Sequence, residues 1–252
     1  MEITEPMERL RRICGKLLPA AWYRRIDLEN TSIRDFIRSV ASTVPDGARV
    51  LDAGAGESPY AGFFSRHEYI AIDFTRGEES WAYRSLDVIG DLQYLPFTED
   101  TFDCVVSTQV LEHVPEPGEV LAGMHRVLKP GGRLFLTAPL AFGEHQQPYD
   151  YFRYTRFGLI YLLERCGFKV ESIAPRGGYF TFLAVMLMWV YVTLFPGDRS
   201  LLVKMLLFPL QFVTALVFII ILPPLLSSLD FLDPQKTTTL GFKVIALKPN
   251  VH

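Results

Sequence analysis

Cysteine is scarce in this sequence: Cys14, Cys104 and Cys166 are scattered along 252 positions and never form a Cys-x-x-Cys pair. So sparse and odd a set argues against a disulfide scaffold and a zinc site, assigns no metal ligand, and suits a reducing compartment. An excess of positive charge is also missing, since 25 Lys and Arg stand against 28 Asp and Glu for a net charge of -3. That balance creates no general field for a polyanion, so no nucleic-acid partner is expected. The opening Met1-Glu2-Ile3-Thr4-Glu5 has neither the basic nor the apolar region of a secretory signal.

Charge is absent altogether from two long stretches, residues 179–196 and 205–229. Between them lies the polar break Gly197-Asp198-Arg199-Ser200, with Lys204 just beyond. As helices, both stretches are long enough to cross a hydrocarbon core of roughly 30 Å. Pro209, Pro223 and Pro224 are expected to kink or end the second, leaving it re-entrant or partly interfacial. Near the start, residues 7–18 place Leu10, Ile13, Leu17 and Leu18 at helical spacing among Arg9, Arg11, Arg12 and Lys16, followed by Trp22, Arg24 and Arg25. Such a basic amphipathic helix either lies on an anionic membrane surface or packs its apolar stripe on the domain.

The middle of the chain alternates short β-branched runs with helical patterns. Strands are expected at 48–53, 69–74, 102–108, 132–138, 169–174 and 240–247, and helices at 32–44, 117–128 and 154–166. That alternation implies βαβ units and a parallel, doubly wound sheet. The expected organisation is an N-terminal basic segment (1–30), an α/β domain (31–178 and 238–252) and an apolar insertion (179–237).

Strand, glycine turn and helix in succession make a nucleotide-binding arrangement, and Val50-Leu51-Asp52-Ala53-Gly54-Ala55-Gly56 has that form. A dinucleotide fingerprint requires a third glycine where this chain has Pro59. Asp52 at the strand end would sit badly beside a pyrophosphate but well beside a cationic sulfonium and amino group. Asp73, seventeen residues past Gly56, is placed to accept hydrogen bonds from ribose hydroxyls.

Further along come Asp87-Val88-Ile89-Gly90-Asp91-Leu92-Gln93-Tyr94-Leu95-Pro96-Phe97, Phe102-Asp103-Cys104-Val105-Val106-Ser107, Gln109-Val110-Leu111-Glu112-His113-Val114-Pro115 and Arg126-Val127-Leu128-Lys129-Pro130-Gly131-Gly132. Over residues 48–140 this string resembles the class I S-adenosylmethionine-dependent methyltransferases, in particular the methyltransferase type 11 domain group. The resemblance implies a Rossmann-like seven-stranded sheet whose last strand runs antiparallel, with S-adenosyl-L-methionine as cofactor. It also implies roles. Asp52, Gly54, Ala55 and Gly56 line the methionine end; Asp73 holds the ribose, with Phe74 beside the adenine. Asp91 takes the adenine amino group, Leu92 donates from its backbone, and Gln109 starts the loop under the sulfonium. Asp103 is expected to cap its strand, and Lys129-Pro130-Gly131-Gly132 to form a tight turn.

On the acceptor side, residues 143–159 leave the carboxyl end of a parallel strand, where ligands bind in open α/β sheets. This segment gathers His145, Tyr149, Asp150, Tyr151, Arg153, Tyr154 and Arg156. Methyl transfer requires donor and acceptor in line, within about 3–3.5 Å. An oxygen nucleophile also needs a base, for which His145 is the natural candidate, with Asp150 orienting or replacing it; the alternative is that both merely tie the loop down.

The apolar insertion joins the last two strands, so it is expected beside the mouth of the site. Together these features predict a membrane-associated enzyme, its catalytic domain in the cytoplasm, methylating a lipid-linked or hydrophobic acceptor at oxygen. Two rivals stand beside it. One is a soluble small-molecule methyltransferase whose insertion is a lid or dimer interface; the other is a membrane scaffold that binds cofactor without turnover.

Overall fold

The structure is a computed structural model that describes residues 4–77, 81–195 and 200–250. In chain order its elements are α1 (Thr4–Leu17), α2 (Ala20–Tyr23), α3 (Leu28–Thr43), β1 (Arg49–Ala53), β2 (Glu68–Asp73), β3 (Val88–Ile89), β4 (Phe102–Thr108), α4 (Pro117–Val127), β5 (Leu128–Pro139), α5 (Arg156–Arg165), β6 (Lys169–Pro175), α6 (Tyr179–Leu194), α7 (Leu201–Ala215), α8 (Leu222–Ser227) and β7 (Gly241–Leu247). Single helical turns lie at Leu92–Tyr94 and Leu111–His113, and a π-helical stretch, Leu216–Ile221, joins α7 to α8. The chain divides into two compact units, Ile33–Ala174 with Gly241–His252, and Met1–Ser32 with Pro175–Leu240.

The first unit is built on a seven-stranded sheet ordered β3-β2-β1-β4-β5-β7-β6. Its β1–β2, β1–β4, β2–β3 and β4–β5 pairs are parallel, and β7 pairs antiparallel with β5. The central strands β1 and β4 and the second half of β5 are mostly apolar and buried on both faces, as a sheet covered on both sides requires. One face packs Leu51, Val105 and Leu134 against Leu121, Met124 and Leu163. The other packs Val50, Val106 and Phe135 against Ile33, Ile37 and Val40 of α3.

Two details differ from the sequence reading. The short β3 was not expected, because two residues carry no periodicity of their own. The Lys129-Pro130-Gly131-Gly132 turn proves to be part of a longer β5, whose register with β4 shifts between Phe102 and Cys104. Gly131 and Gly132 exchange backbone hydrogen bonds with Lys248 just past β7. The Lys248 ammonium donates to Asp100 at 2.7 Å and to the Leu128 carbonyl at 2.6 Å. The chain re-enters the sheet at Gly241, opposite Pro139, at the carboxyl edge of β5. A side chain at Gly241 would stand 2.3 Å from the Ala138 carbonyl oxygen.

The second unit is helical. Met7, Cys14, Ile26, Met188, Val192 and Ile219 form its core. In α1 the buried stripe is therefore rotated from the one expected: Leu10 and Leu18 pack against the core, whereas Ile13 and Leu17 are exposed. Rotation follows from charge. Arg11 turns inward, 2.8 Å from Glu29 and 3.3 Å from Asp27, so it is not available to a membrane surface. The guanidinium of fully buried Arg176 donates to Ser32 at 3.2 Å.

Of the two expected membrane crossings, α6 has 16 residues, about 24 Å at 1.5 Å each, and buries Ala184, Val185, Met188 and Val192. That is just short of the roughly 17 residues that a crossing needs. Residues Met205–Ser227 are long and apolar enough, with a mean hydropathy of 2.6 and 6% burial. Pro209 lies within this helix, and the π-helical stretch directly precedes Pro223 and Pro224. Proline removes a helical hydrogen bond and its ring crowds the preceding turn; widening that turn to π geometry lets the helix run on through Pro223 and Pro224, so of the two expected outcomes, a kink or an end, they do not end it.

Candidate active site

β1 ends at Asp52 and Ala53, and the glycine turn is stitched to the end of β2. Gly54 and Ala55 donate to the Ile72 carbonyl, and Gly56 donates to Asp73 Oδ2 at 2.9 Å. Asp73 Oδ1 accepts from Thr75 at 2.7 Å. Gly54 and Gly56 hold φ values of 84 and 54, the left-handed region that only glycine enters freely. At Gly54 the cause is internal: an added Cβ would lie 2.3 Å from Val110 Cγ2. The close approach there is to the chain after β4, so this glycine serves the fold as well as any ligand.

Asp52 is 1% exposed, and its Oδ2 accepts a 2.5 Å hydrogen bond from the Tyr69 hydroxyl. Its other oxygen, Oδ1, is buried without a hydrogen-bond partner among the described residues. Burial pushes the carboxyl up to about 6, against the pull of Tyr69 and with a further push from the charge of Asp73. A buried carboxylate oxygen at the end of β1 fits the cationic amino end of S-adenosylmethionine, whose charge would restore full ionisation.

Asp91 lies just past β3 and caps the next turn, accepting from the Gln93 backbone at 2.9 Å, with Leu92 buried behind it. Phe74 is half-exposed, and the Arg76 guanidinium lies 4.2 Å above its ring. Gln109, directly after β4, is held at φ 55, with its backbone N–H on the Thr137 carbonyl and its side chain on the Thr137 hydroxyl. A glutamine in that region is uncommon and marks a constrained turn. Asp103 accepts from the Arg49 backbone and from Lys129, the structural role expected of it.

The acceptor-side loop folds onto the turn after β4. Tyr151 N–H donates to the Glu112 carbonyl at 2.7 Å, and the Tyr154 hydroxyl donates to the Leu111 carbonyl at 2.7 Å. Asp150 takes both terminal nitrogens of Arg153, at 2.6 and 2.7 Å, and the His145 backbone N–H at 2.9 Å. Its burial alone would raise the carboxyl, but Arg153 and the His145 N–H outweigh that and hold it at about 2. His145 and Asp150 are therefore together, the imidazole Nδ1 standing 3.3 Å from the carboxylate.

His145 also meets His113, the two Nε2 atoms 3.1 Å apart. Arg76 links the two halves of the site, since its guanidinium also lies 5.4 Å from the Tyr149 ring. Sequence reasoning missed Tyr69 and Arg76, and left His113 without a part. Tyr69 reaches Asp52 only through the β1–β2 register, and Arg76 carries no spacing signal; for His113, the adjoining Glu112 was the available hint.

A parallel sheet closed by an antiparallel last strand, with a glycine turn after β1 and acids ending β2 and following β3, is the class I methyltransferase arrangement. Residues 51–136 match the family model described as a methyltransferase domain, and the chain carries a domain of this class, with S-adenosyl-L-methionine as its cofactor. The ubiquinone/menaquinone biosynthesis C-methyltransferase UbiE of Edwardsiella ictaluri is 33% identical over 165 residues, covering 57% of this chain and 60% of that protein. The demethylmenaquinone methyltransferase of Renibacterium salmoninarum is 38% identical over 109 residues, covering 40% and 45%. The chain thus spans about half the length of these relatives.

Among solved structures, a Burkholderia thailandensis 1,6-didemethyltoxoflavin-N1-methyltransferase with bound S-adenosylhomocysteine superposes with a TM-score of 0.53 at 18% identity, covering 98% of this chain and 91% of its own. The [4+2]-cyclase SpnF also superposes with a TM-score of 0.53 at 18% identity, covering 86% and 81%. These likenesses speak for the fold; the chemistry has to be argued from the site.

Proposed function

We propose that this protein transfers the methyl group of S-adenosylmethionine to a hydroxyl oxygen of a lipid-linked or otherwise hydrophobic acceptor drawn from a membrane, its catalytic domain facing the cytoplasm. Asp52 holds the cationic end of the cofactor, with Gly54, Ala55 and Gly56 around it. Asp73, Phe74, Asp91 and Leu92 hold the nucleoside, and Gln109 underlies the sulfonium. As the carbon–sulfur bond breaks and the carbon–oxygen bond forms, the sulfonium becomes a thioether and the hydroxyl proton leaves through the His145 cluster, oriented by Asp150. The expected result for His145→Ala is loss of adenosylhomocysteine release from membrane extract, with cofactor affinity near wild type by calorimetry. Unchanged turnover would remove His145 from the mechanism.

The observation that carries the membrane reading is the helix Met205–Ser227. Leu206, Phe208, Leu210 and Phe212 are all exposed on it, a larger apolar surface than soluble monomers leave open. The full-length protein is expected to float with lipid vesicles and to require detergent for extraction. Monodisperse protein in plain buffer would sink this part of the proposal.

A second reading, transfer to carbon, is favoured by the names of the Edwardsiella relative and its kin. Ionising a ring hydroxyl also activates the neighbouring ring carbon, so the same cluster would serve. Product mass spectrometry and NMR distinguish a methoxy group from a carbon-bound methyl.

A further inference from the structure

The tautomers of the two histidines can be read from their neighbours. His113 Nδ1 lies 2.8 Å from the Tyr149 carbonyl, and His145 Nδ1 lies 3.1 Å from the Gly143 carbonyl and 3.3 Å from Asp150. All three neighbours only accept hydrogen bonds, so each neutral ring carries its proton on Nδ1. The two Nε2 lone pairs then face one another at 3.1 Å, an arrangement that repels unless something positive lies between them. Glu112 is fully buried, with Oε1 4.0 Å from His113 Nε2. One ligand atom from each of Glu112, His113 and His145 lies within 4.8 Å of the other two.

Two imidazoles and a carboxylate with positions left open make the donor set of catalytic zinc and related first-row ions. At zinc–nitrogen distances of about 2.0–2.1 Å, two nitrogens on one tetrahedral ion sit about 3.3 Å apart, close to the separation seen here. The outer shell is also in place, because ligating histidines habitually donate their second N–H to a carbonyl or carboxylate. We infer that Glu112, His113 and His145 form a binding site for one divalent cation of the zinc class. No sequence spacing announces this site, for His113 and His145 are 32 residues apart.

The inference rests on the proposed function for the acceptor and revises one step of it: a His145 ring that gives Nε2 to a metal and keeps its proton on Nδ1 is a ligand and not a base, so the metal takes over activation of the hydroxyl. An acceptor hydroxyl in the open position would ionise on the metal, its proton passing to solvent.

Metal binding itself is read without acceptor. Full-length protein in detergent, stripped with chelator and titrated with Co²⁺, is expected to bind one equivalent with visible d–d absorption that Zn²⁺ abolishes. His113→Ala and Glu112→Gln should each lose more than the ~10–100-fold in affinity typical of an outer-shell partner. Their S-adenosylmethionine binding, which also reports folding, should stay near wild type. No Co²⁺ absorption in the wild type, or equal binding by His113→Ala, would overturn the inference. So would a low-field imidazole proton resonance unmoved by metal, the mark of one proton shared between the rings. Loss of cofactor binding or turnover in the wild type would instead strike the proposed function.

Discussion

Asp52→Asn is expected to weaken S-adenosylmethionine binding about ten- to a hundredfold, the ~1.5–3 kcal/mol of a hydrogen bond to a charged group. The accompanying pH dependence is the sharper result. In the free protein the buried Asp52 carboxyl titrates at about 6, so below that pH the cofactor's ammonium must expel a proton to bind. Wild-type affinity should rise about tenfold per pH unit up to about pH 6 and level off above it, while the Asn variant stays flat.

Stability has the opposite sign. The folded value of about 6 exceeds the unfolded value of about 3.9, so between those limits the folded state binds more protons. The contribution of Asp52 is fully present below about pH 4 and is lost as pH rises through 6, by roughly 3 kcal/mol at most. Without cofactor, Asp52→Asn should therefore melt at or above the wild-type temperature at pH ~7, although it binds poorly. Calorimetry across the range checks both signs, and pH-independent wild-type affinity would refute this account of Asp52.

Gly54→Ala should destabilise the protein by ~2–5 kcal/mol. Two costs add: forcing an alanine to φ 84, at about 1–2 kcal/mol, and driving its methyl into Val110, an overpacking of about 1–3 kcal/mol. Val110 has nowhere to retreat, because it packs in the main core. Since native domains are stable by only about 5–15 kcal/mol, the loss is large. Adding Val110→Ala should recover the steric part and leave the dihedral part, which a double-mutant cycle in urea separates. A single variant within ~0.5 kcal/mol of wild type would show that the turn is not tightly held.

The cofactor half of the site was legible because parallel strands deliver their following loops to one edge. Asp52, Asp73 and Gln109 stand at or just past the ends of strands the sequence reading expected, whereas Asp91 follows the short β3 that it did not. The His113–His145 pair was not legible, since it exists only because β4 and β5 are neighbours whose loops leave the same edge. In α1 polarity pointed the wrong way: Arg11 lies inside because Asp27 and Glu29 meet it there, and Ile13 and Leu17 outside. The second apolar stretch was recognised, but its continuity through Pro223 and Pro224 depends on a π turn that composition does not announce.

The position of β7 between β5 and β6 also orders events during synthesis. β6 leaves the ribosome long before β7 and has no place in the sheet until β7 arrives to separate it from β5. Through that interval β5 keeps an open edge, a template for wrong pairing. The apolar helix Met205–Ser227 is made within the same interval, while the sheet is still incomplete. The sheet unit thus closes only after the most apolar part of the chain has been made.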